Sequence, residues 1–363
     1  MELEFTADQL ELRDSIRVVL QKASPVKLAR EVAENQTGAD RLWRVVTELG
    51  WAALTVPEKF GGIGLGAVEA GILAEELGRV IAPGPLLATV AQFVPAVSLL
   101  GNQIQQERWL APVAAGGVAG TATYDSGVLL RFDGNDSVLN GRCSYVIEAA
   151  AAEFVACRFT SDLGEGMVVI EKDEAKIVPI VSIDPTRQIA HIVFKDVRLS
   201  ADRVLGGPAA IGKQDSEFRE ATLHGVSAIA LETVGVCQSI FDVALDHVKN
   251  REQFGVPIGS FQAIKHKFAD MLVTLERARA TSYLSALCVA ERVDRAGIET
   301  SAAKVAAADC QRLLAKEGIQ LLGGIGYTWE HDMHLYVKRA KANDALFGTA
   351  SHHRARIADL LGV

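Results

Sequence analysis

The chain has no excess of basic residues: 37 Lys and Arg stand against 45 Asp and Glu, a formal charge of −8 at pH 7. Nucleic-acid binding needs a basic face to displace counterions, so the balance argues against that class. It leaves a nucleotide cofactor open, because a few local donors satisfy a pyrophosphate. Cysteine is sparse. Cys143, Cys157, Cys237, Cys288 and Cys310 are far apart in sequence and form no CxxC pair. Free thiols in a reducing compartment are expected rather than disulfides or zinc. Long apolar runs are missing too, since Val90 to Leu100 is broken by Gln92 and Pro95. The opening Met-Glu-Leu-Glu-Phe-Thr is acidic and lacks a signal core. The expectations are no bilayer span and a cytoplasmic location. No P-loop and no Ser-His-Asp order promotes a kinase or hydrolase. His331 and His334, three apart, and the adjacent His352 and His353 have no carboxylate or thiolate set at ligand spacing, so no metal is expected.

A chain of 363 residues, 49% hydrophobic and 23% charged, fits two or three packed domains. Its first third reads as helix. Thr6 and Gln9 form a capping box before Leu10, Leu12, Ile16, Val19 and Leu20. A second helix follows Asp40, with Leu42, Val45, Val46 and Leu49 on one face. Pro57 to Gly64 is a glycine-rich turn, and Val68 to Val80 is helical again. From about Val118 the period becomes strand-like. The runs are Val128 to Phe132, Ser137 to Leu139, Ser144 to Ile147, Phe154 to Arg158, Met167 to Ile170 and Ile189 to Phe194. Gly134-Asn135-Asp136, Asn140-Gly141 and Asp162 to Gly166 supply the turns. Ala221 to Asn250, Phe261 to Ala296 and Ser301 to Leu322 then read as helices long enough for a bundle packed against neighbouring subunits. The fold class predicted is a multidomain α+β protein: a helical domain over 1–115, an antiparallel β domain over 116–208 and a C-terminal four-helix-bundle domain over 209–363.

Two stretches carry possible chemistry. Arg251-Glu252-Gln253-Phe254-Gly255 ends one long helix, and Pro257-Ile258-Gly259-Ser260-Phe261-Gln262 opens the next. An arginine fork, an amide and a helix N-terminus in one turn can grip a diphosphate. An ordinary helical turn capped by Ser260 explains the same residues. Gln320-Leu321-Leu322-Gly323-Gly324-Ile325-Gly326-Tyr327 reads either as a glycine C-cap or as a place where a ligand nears the backbone.

In this order and spacing, the two stretches resemble the C-terminal domain of acyl-CoA dehydrogenases. Val56-Pro57-Glu58-Lys59-Phe60-Gly61-Gly62-Ile63-Gly64 and Glu75-Glu76-Leu77-Gly78-Arg79 resemble the family's N-terminal domain. Leu139-Asn140-Gly141 resembles a hairpin of its middle domain, and Phe194 to Val197 through Val204 to Gly206 the strand and exit from its sheet. The resemblance implies a dimer or tetramer binding FAD at a subunit interface and oxidising an acyl-CoA to a 2-enoyl-CoA. An electron-transfer flavoprotein-type acceptor would take the electrons. Residues implied at the cofactor are Arg251, Gln253, Phe254, Phe261, Gln262, Gln320, Leu321, Leu322, Gly323, Gly324, Thr349 and Ser351.

The chain also departs from the family. Leu346-Phe347-Gly348-Thr349 stands where the family's catalytic glutamate lies, and Phe347 has no proton chemistry. The family's alternative base position falls on Gly225. The loop facing the flavin reads Thr123-Tyr124-Asp125-Ser126-Gly127-Val128, and Tyr145-Val146-Ile147 lacks the threonine expected two residues after the aromatic. No catalytic residue is therefore assigned. The expected partner is a related subunit that supplies the base. The alternatives are a self-sufficient homo-oligomer with a base such as Asp344, and a non-catalytic partner that does not bind FAD. Glu220 and Glu232 are expected to be helix residues without a catalytic role. Lys265, Lys267, Lys338, Arg339 and Lys341 are expected on solvated or interface faces, and Trp51, Trp109 and Trp329 as core or interface anchors.

Overall fold

The structure, a computed structural model, describes residues 4–125, 127–133 and 136–363. The expected turn residues Gly134 and Asn135 lie outside them. Contacts divide the chain into two compact units. One comprises Gly38–Ala70 and Pro83–Gly225, the other Met1–Thr37, Gly71–Ala82 and Val226–Val363. In chain order the helices before the strands are α1 (Ala7–Ala23), α2 (Val26–Asn35), α3 (Ala39–Glu48), α4 (Ala67–Arg79), α5 (Leu86–Ala88), α6 (Val94–Leu100) and α7 (Gln103–Ala114).

The first unit holds the β domain. Its strands are β1 (Gly120–Thr123), β2 (Val128–Asp133), β3 (Asp136–Ile147), β4 (Phe154–Ser161), β5 (Gly164–Glu171), β6 (Lys176–Ile180) and β7 (Ile189–Ser200). The sheet is mixed, not antiparallel as expected. β4 pairs β5 antiparallel along one edge, and parallel with β1 and β2 along the other. β1 escapes prediction because Gly-Thr-Ala-Thr shows no alternation; all four residues are buried, and a Cβ on Gly120 would overlap the Phe93 ring. The turn expected at Asn140-Gly141 is instead a bulge inside the continuous β3. Gly141 has φ +121°, and a Cβ there would overlap the Gly127 carbonyl. The Asn140 amide bonds both the side chain and the backbone N–H of Asp196 on β7, which stabilises the irregularity. Two apolar clusters pack this unit. One fills the sheet around Val155, Phe159 and Ile192, the other joins Trp109, Phe93 and Met167.

The second unit is helical. The capping box at Thr6 and Gln9 forms and starts α1. α2, absent from the sequence reading, follows Pro25, whose fixed φ suits a helix start. The long helices are α8 (Asp215–Asn250), α9 (Gln262–Ala290) and α10 (Ala296–Leu322), followed by α11 (Met333–Ala345) and α12 (Ala350–Leu361). By length and composition α8 is apolar enough to cross a bilayer, contrary to expectation, but 78% of its most apolar window is buried. Gly78 on α4 and Gly235 on α8 let the two backbones touch; a Cβ on either would overlap a carbonyl of the other helix. Glu75 and Glu76 from the same α4 turn are buried with partners: Glu75 accepts from Tyr283 at 2.6 Å and Arg279 at 3.0 Å, and Glu76 from Arg17 at 2.6 Å.

Arg339 corrects the expectation of a solvated face. It is fully buried and donates to Glu232 at 2.8 Å, with the Asn343 amide on the other carboxylate oxygen at 3.0 Å. Helical spacing puts Arg339 and Asn343 on one stripe of α11, and that stripe faces α8. Removing one partner of such a pair leaves a buried, uncompensated charge, at a cost of about 3–5 kcal/mol. Arg339→Leu is therefore expected to lower the unfolding free energy by roughly that amount in urea denaturation. Adding Glu232→Leu should restore most of it. Equal stability of the single variant and wild type would remove the pair from this role.

Candidate functional site

In the helical unit, α8 ends on the Arg251 stretch. The Arg251 N–H donates to the His247 carbonyl at 2.8 Å, and the Ile258 N–H to the Arg251 carbonyl at 2.8 Å, closing a small hairpin. Its strands are β8 (Glu252–Gln253) and β9 (Val256–Pro257). Phe254 and Gly255 turn it with φ of +55° and +80°, the two left-handed residues a tight hairpin requires. The turn leaves Phe254 93% exposed, edge-on to Phe261 at 6.2 Å, with Arg251 and Gln253 exposed beside it. The expected serine cap is replaced. Phe261 is the N-cap of α9 without a side-chain bond, because the Ser260 hydroxyl donates to the Pro257 carbonyl at 2.7 Å. An uncapped start leaves first-turn N–H groups for an anion.

At the far end of α10, Leu321 and Leu322 turn into the core, so only their backbone can meet a ligand. Gln320 is exposed. Gly323 ends the helix with φ +64°, and a Cβ on Gly323 or Gly324 would meet nothing within 4 Å. The C-cap and the open approach are thus both present. Two bonds set the pairing of α9 with α10: Ser285 Oγ to Thr300 Oγ1 at 3.0 Å, and the Lys267–Glu317 ion pair. Both keep one antiparallel register, which brings Gln262 level with Gly323. The same end carries Arg251 and the loop after Tyr327. His247 is pushed down by burial first, and then by the charges of Arg251 and His331. The exposed fork, the uncapped helix start and the open glycine backbone fit the diphosphate end of the FAD that the resemblance implies. Tyr327 and Trp329 are exposed nearby, so Trp329 is no core anchor; Lys338 lies 4.2 Å over its ring and His334 packs edge-on. Trp51 and Trp109 are core residues.

Further along, α11 ends at Ala345 and Phe347 follows in a left-handed conformation, φ +59°, with Gly348 at +102°. The Thr349 hydroxyl accepts the His352 N–H as N-cap of α12, and Ser351 is exposed in its first turn. Gly225 lies within α8 and is buried. The two nearby acids differ, and Asp344 Oδ1 is buried without a hydrogen-bond partner among the described residues. Glu232 is committed to Arg339 and Asn343. Asp344 lies 3.8 Å from Lys341, and its side chain is only 18% exposed. Lys304, overlooked in the sequence for want of any motif, is buried beside it and pushed down to about 8 by burial, against the attraction of Asp344.

In the β unit, the Asp125 carboxylate accepts the Ser144 N–H at 2.9 Å, tying the loop after β1 to β3. Tyr145 sits on a bulge of β3 with φ +57°, exposed, edge-on to His191 at 5.5 Å. Ile147 is buried opposite Ile189, so no hydroxyl stands two residues past the aromatic. Ser126 lies outside the described residues.

Residues 6–117 match the acyl-CoA dehydrogenase N-terminal domain, and residues 219–362 the acyl-CoA dehydrogenase C-terminal domain. The chain is 32% identical over 340 residues to acyl-CoA dehydrogenase IpdE2 of Mycobacterium tuberculosis, covering 92% of this chain and 91% of that one. Among solved structures, the ChsE4-ChsE5 complex of Mycobacterium tuberculosis superposes with a TM-score of 0.91 at 22% identity, over 100% of this chain and 99% of that one. A variant of the Tcur3481-Tcur3483 steroid ACAD superposes with a TM-score of 0.85 at 25% identity, over 98% of both chains. A relative above 30% identity along nearly the whole length, with both terminal helical domains matched around a mixed sheet, means that this chain belongs to the acyl-CoA dehydrogenase family, a family of FAD flavoproteins.

Proposed function

We propose that this chain is the partner subunit of a heteromeric acyl-CoA dehydrogenase: it grips the far end of FAD and leaves proton abstraction to a related sister chain. The observation that carries the reading is Phe347, an apolar side chain on the turn where the family keeps its base. Abstraction of an α-proton requires a group with an accessible lone pair and a suitable pKa, and a phenyl ring has neither. Glu232 is held by Arg339, whereas Asp344, with one buried carboxylate oxygen lacking a hydrogen-bond partner among the described residues, is the acid that the rival self-sufficient reading would use. Bound FAD would supply the acceptor for the β-hydride. This chain's part is to bind and orient: the Arg251 fork and the α9 start on the diphosphate, the Gln320 to Gly324 turn along the cofactor's ADP end. The names of two structural relatives, a ChsE4-ChsE5 complex and a two-component steroid ACAD, support a heteromer and a bulky acyl-CoA substrate. An electron-transfer flavoprotein-type acceptor completes the proposed cycle.

Purified alone, the chain should not oxidise acyl-CoA with an artificial electron acceptor, whereas the complex isolated from its native cell should turn over. Full-rate dehydrogenation by the lone chain overturns the reading in favour of a base within it.

Within the complex, Arg251→Ala should weaken FAD binding by roughly 10- to 150-fold, from about 1.5–3 kcal/mol per charged hydrogen bond. Flavin absorbance per protomer measures the loss, and size-exclusion chromatography checks that assembly is unchanged. Full flavin content in that variant would favour a partner that does not touch FAD.

A further inference from the structure

The adjacent histidines of α12 and the buried lysine of α10 play no part in the function proposed above, yet they converge on one turn. Lys304 is 2% exposed, and its ammonium donates to the Asn343 carbonyl at 2.5 Å and the Asp344 carbonyl at 3.2 Å. These are among the last carbonyls of α11, which carry the negative end of its dipole. On the other side, His353 Nε2 lies 3.1 Å from the Phe347 carbonyl. A carbonyl only accepts, so Nε2 carries the hydrogen and Nδ1 is bare. That Nδ1 is buried without a hydrogen-bond partner among the described residues. Burial, followed by the charge of Lys304, pushes the imidazole down to about 4, which keeps it a neutral donor at ordinary pH. His352 closes the remaining side, its ring so close over Gly348 that a Cβ there would meet it.

Joining two helices does not require this arrangement. Thr349 already caps α12, and a water-exposed turn could satisfy the α11 carbonyls. Burying an ammonium and a bare imidazole nitrogen is unfavourable, as is a left-handed phenylalanine followed by a left-handed glycine. All of these unfavourable features flank a single residue.

We propose that Lys304 and His353 are positioning residues that lock the turn Leu346–Gly348 in one conformation, so that position 347 is a rigid mount rather than a loose connector. Its meaning for catalysis rests on the reading of position 347 as the base slot; the locking itself does not. Carbonyls held at 343 and 344 before the turn and at 347 within it fix the direction in which any side chain at 347 leaves the turn.

Hydrogen–deuterium exchange of the full-length chain, followed in the peptide spanning 344–350, tests this. His353→Leu and Lys304→Met should each raise exchange in the turn by about fivefold or more, with α9 amides unchanged. His353→Gln, whose amide can still donate to the Phe347 carbonyl, should stay near the wild-type rate. Unchanged exchange in both apolar variants overturns the proposal. So does a rise shared equally by α9, or a His353→Gln variant as loose as His353→Leu. If His353→Leu fails to fold, Lys304→Met and His353→Gln still decide between these outcomes. None of them depends on the sister subunit, so failure here leaves the heteromer reading to its own test.

Discussion

The helical unit depends on a charge pair sealed from water. Glu232 and Arg339 sit 2.8 Å apart at about 1% side-chain exposure, and neither can be ionised there without the other. Hydrophobic contact alone lets helices slide or rotate by small increments, because apolar packing is non-directional. A buried pair with Asn343 on the second carboxylate oxygen permits one rotation of α11 against α8 and no neighbouring one. α11 carries position 347 just beyond its C-terminus, so the placement of that turn follows from a bond more than two helical turns upstream. The glycine contact between α4 and α8 acts in the same direction. It brings the backbones together where side chains would hold them apart, at the cost of about 1 kcal/mol per helical glycine relative to alanine.

The two ends of the candidate site are built on different principles. Around Arg251 and Gly323 the structure withholds side chains. A glycine pair faces open space, a helix starts without a cap, and a phenylalanine stands exposed on a hairpin tip. Exposed donors and bare backbone are satisfied by water and remain available to a ligand that replaces it, as a binding surface requires. Along the turn after α11 the structure fastens instead, with Lys304 on the Asn343 and Asp344 carbonyls, His353 on the Phe347 carbonyl and His352 over Gly348. One end is thus open backbone and exposed donors, the other a turn fastened through its carbonyls.

The sequence was legible where a local rule had one solution. The Thr6 and Gln9 box, the long apolar helices and the glycine end of α10 all follow from patterns within a few residues of each other. It failed where the determining partner is distant. β1 is four small residues whose strand character comes only from β4, some thirty residues on. Asn140-Gly141 carries a turn signal that the Asp196 contact overrides, converting it to a bulge. Arg339 looks solvated in the run Lys338-Arg339-Ala340-Lys341, because nothing nearby in sequence reveals Glu232 more than a hundred residues earlier. The serine expected to cap α9 was misplaced by one residue, a shift that frees the helix start.

Lys304 illustrates why the turn at position 347 could be only half read. Its neighbours in α10 are alanines and valine, and an isolated lysine on an apolar face invites the reading that it reaches solvent. It cannot, because α11 ends against it and offers two carbonyls in place of water. Sequence identifies what is missing at position 347, a group that can take a proton. Only the packed structure reveals what lies there: a lysine on the last carbonyls of α11, a histidine on the Phe347 carbonyl, and a second histidine over Gly348. Since backbone rather than side-chain atoms receive those contacts, the arrangement is indifferent to which residue stands at 347. A scaffold with that property keeps its geometry whichever side chain position 347 carries.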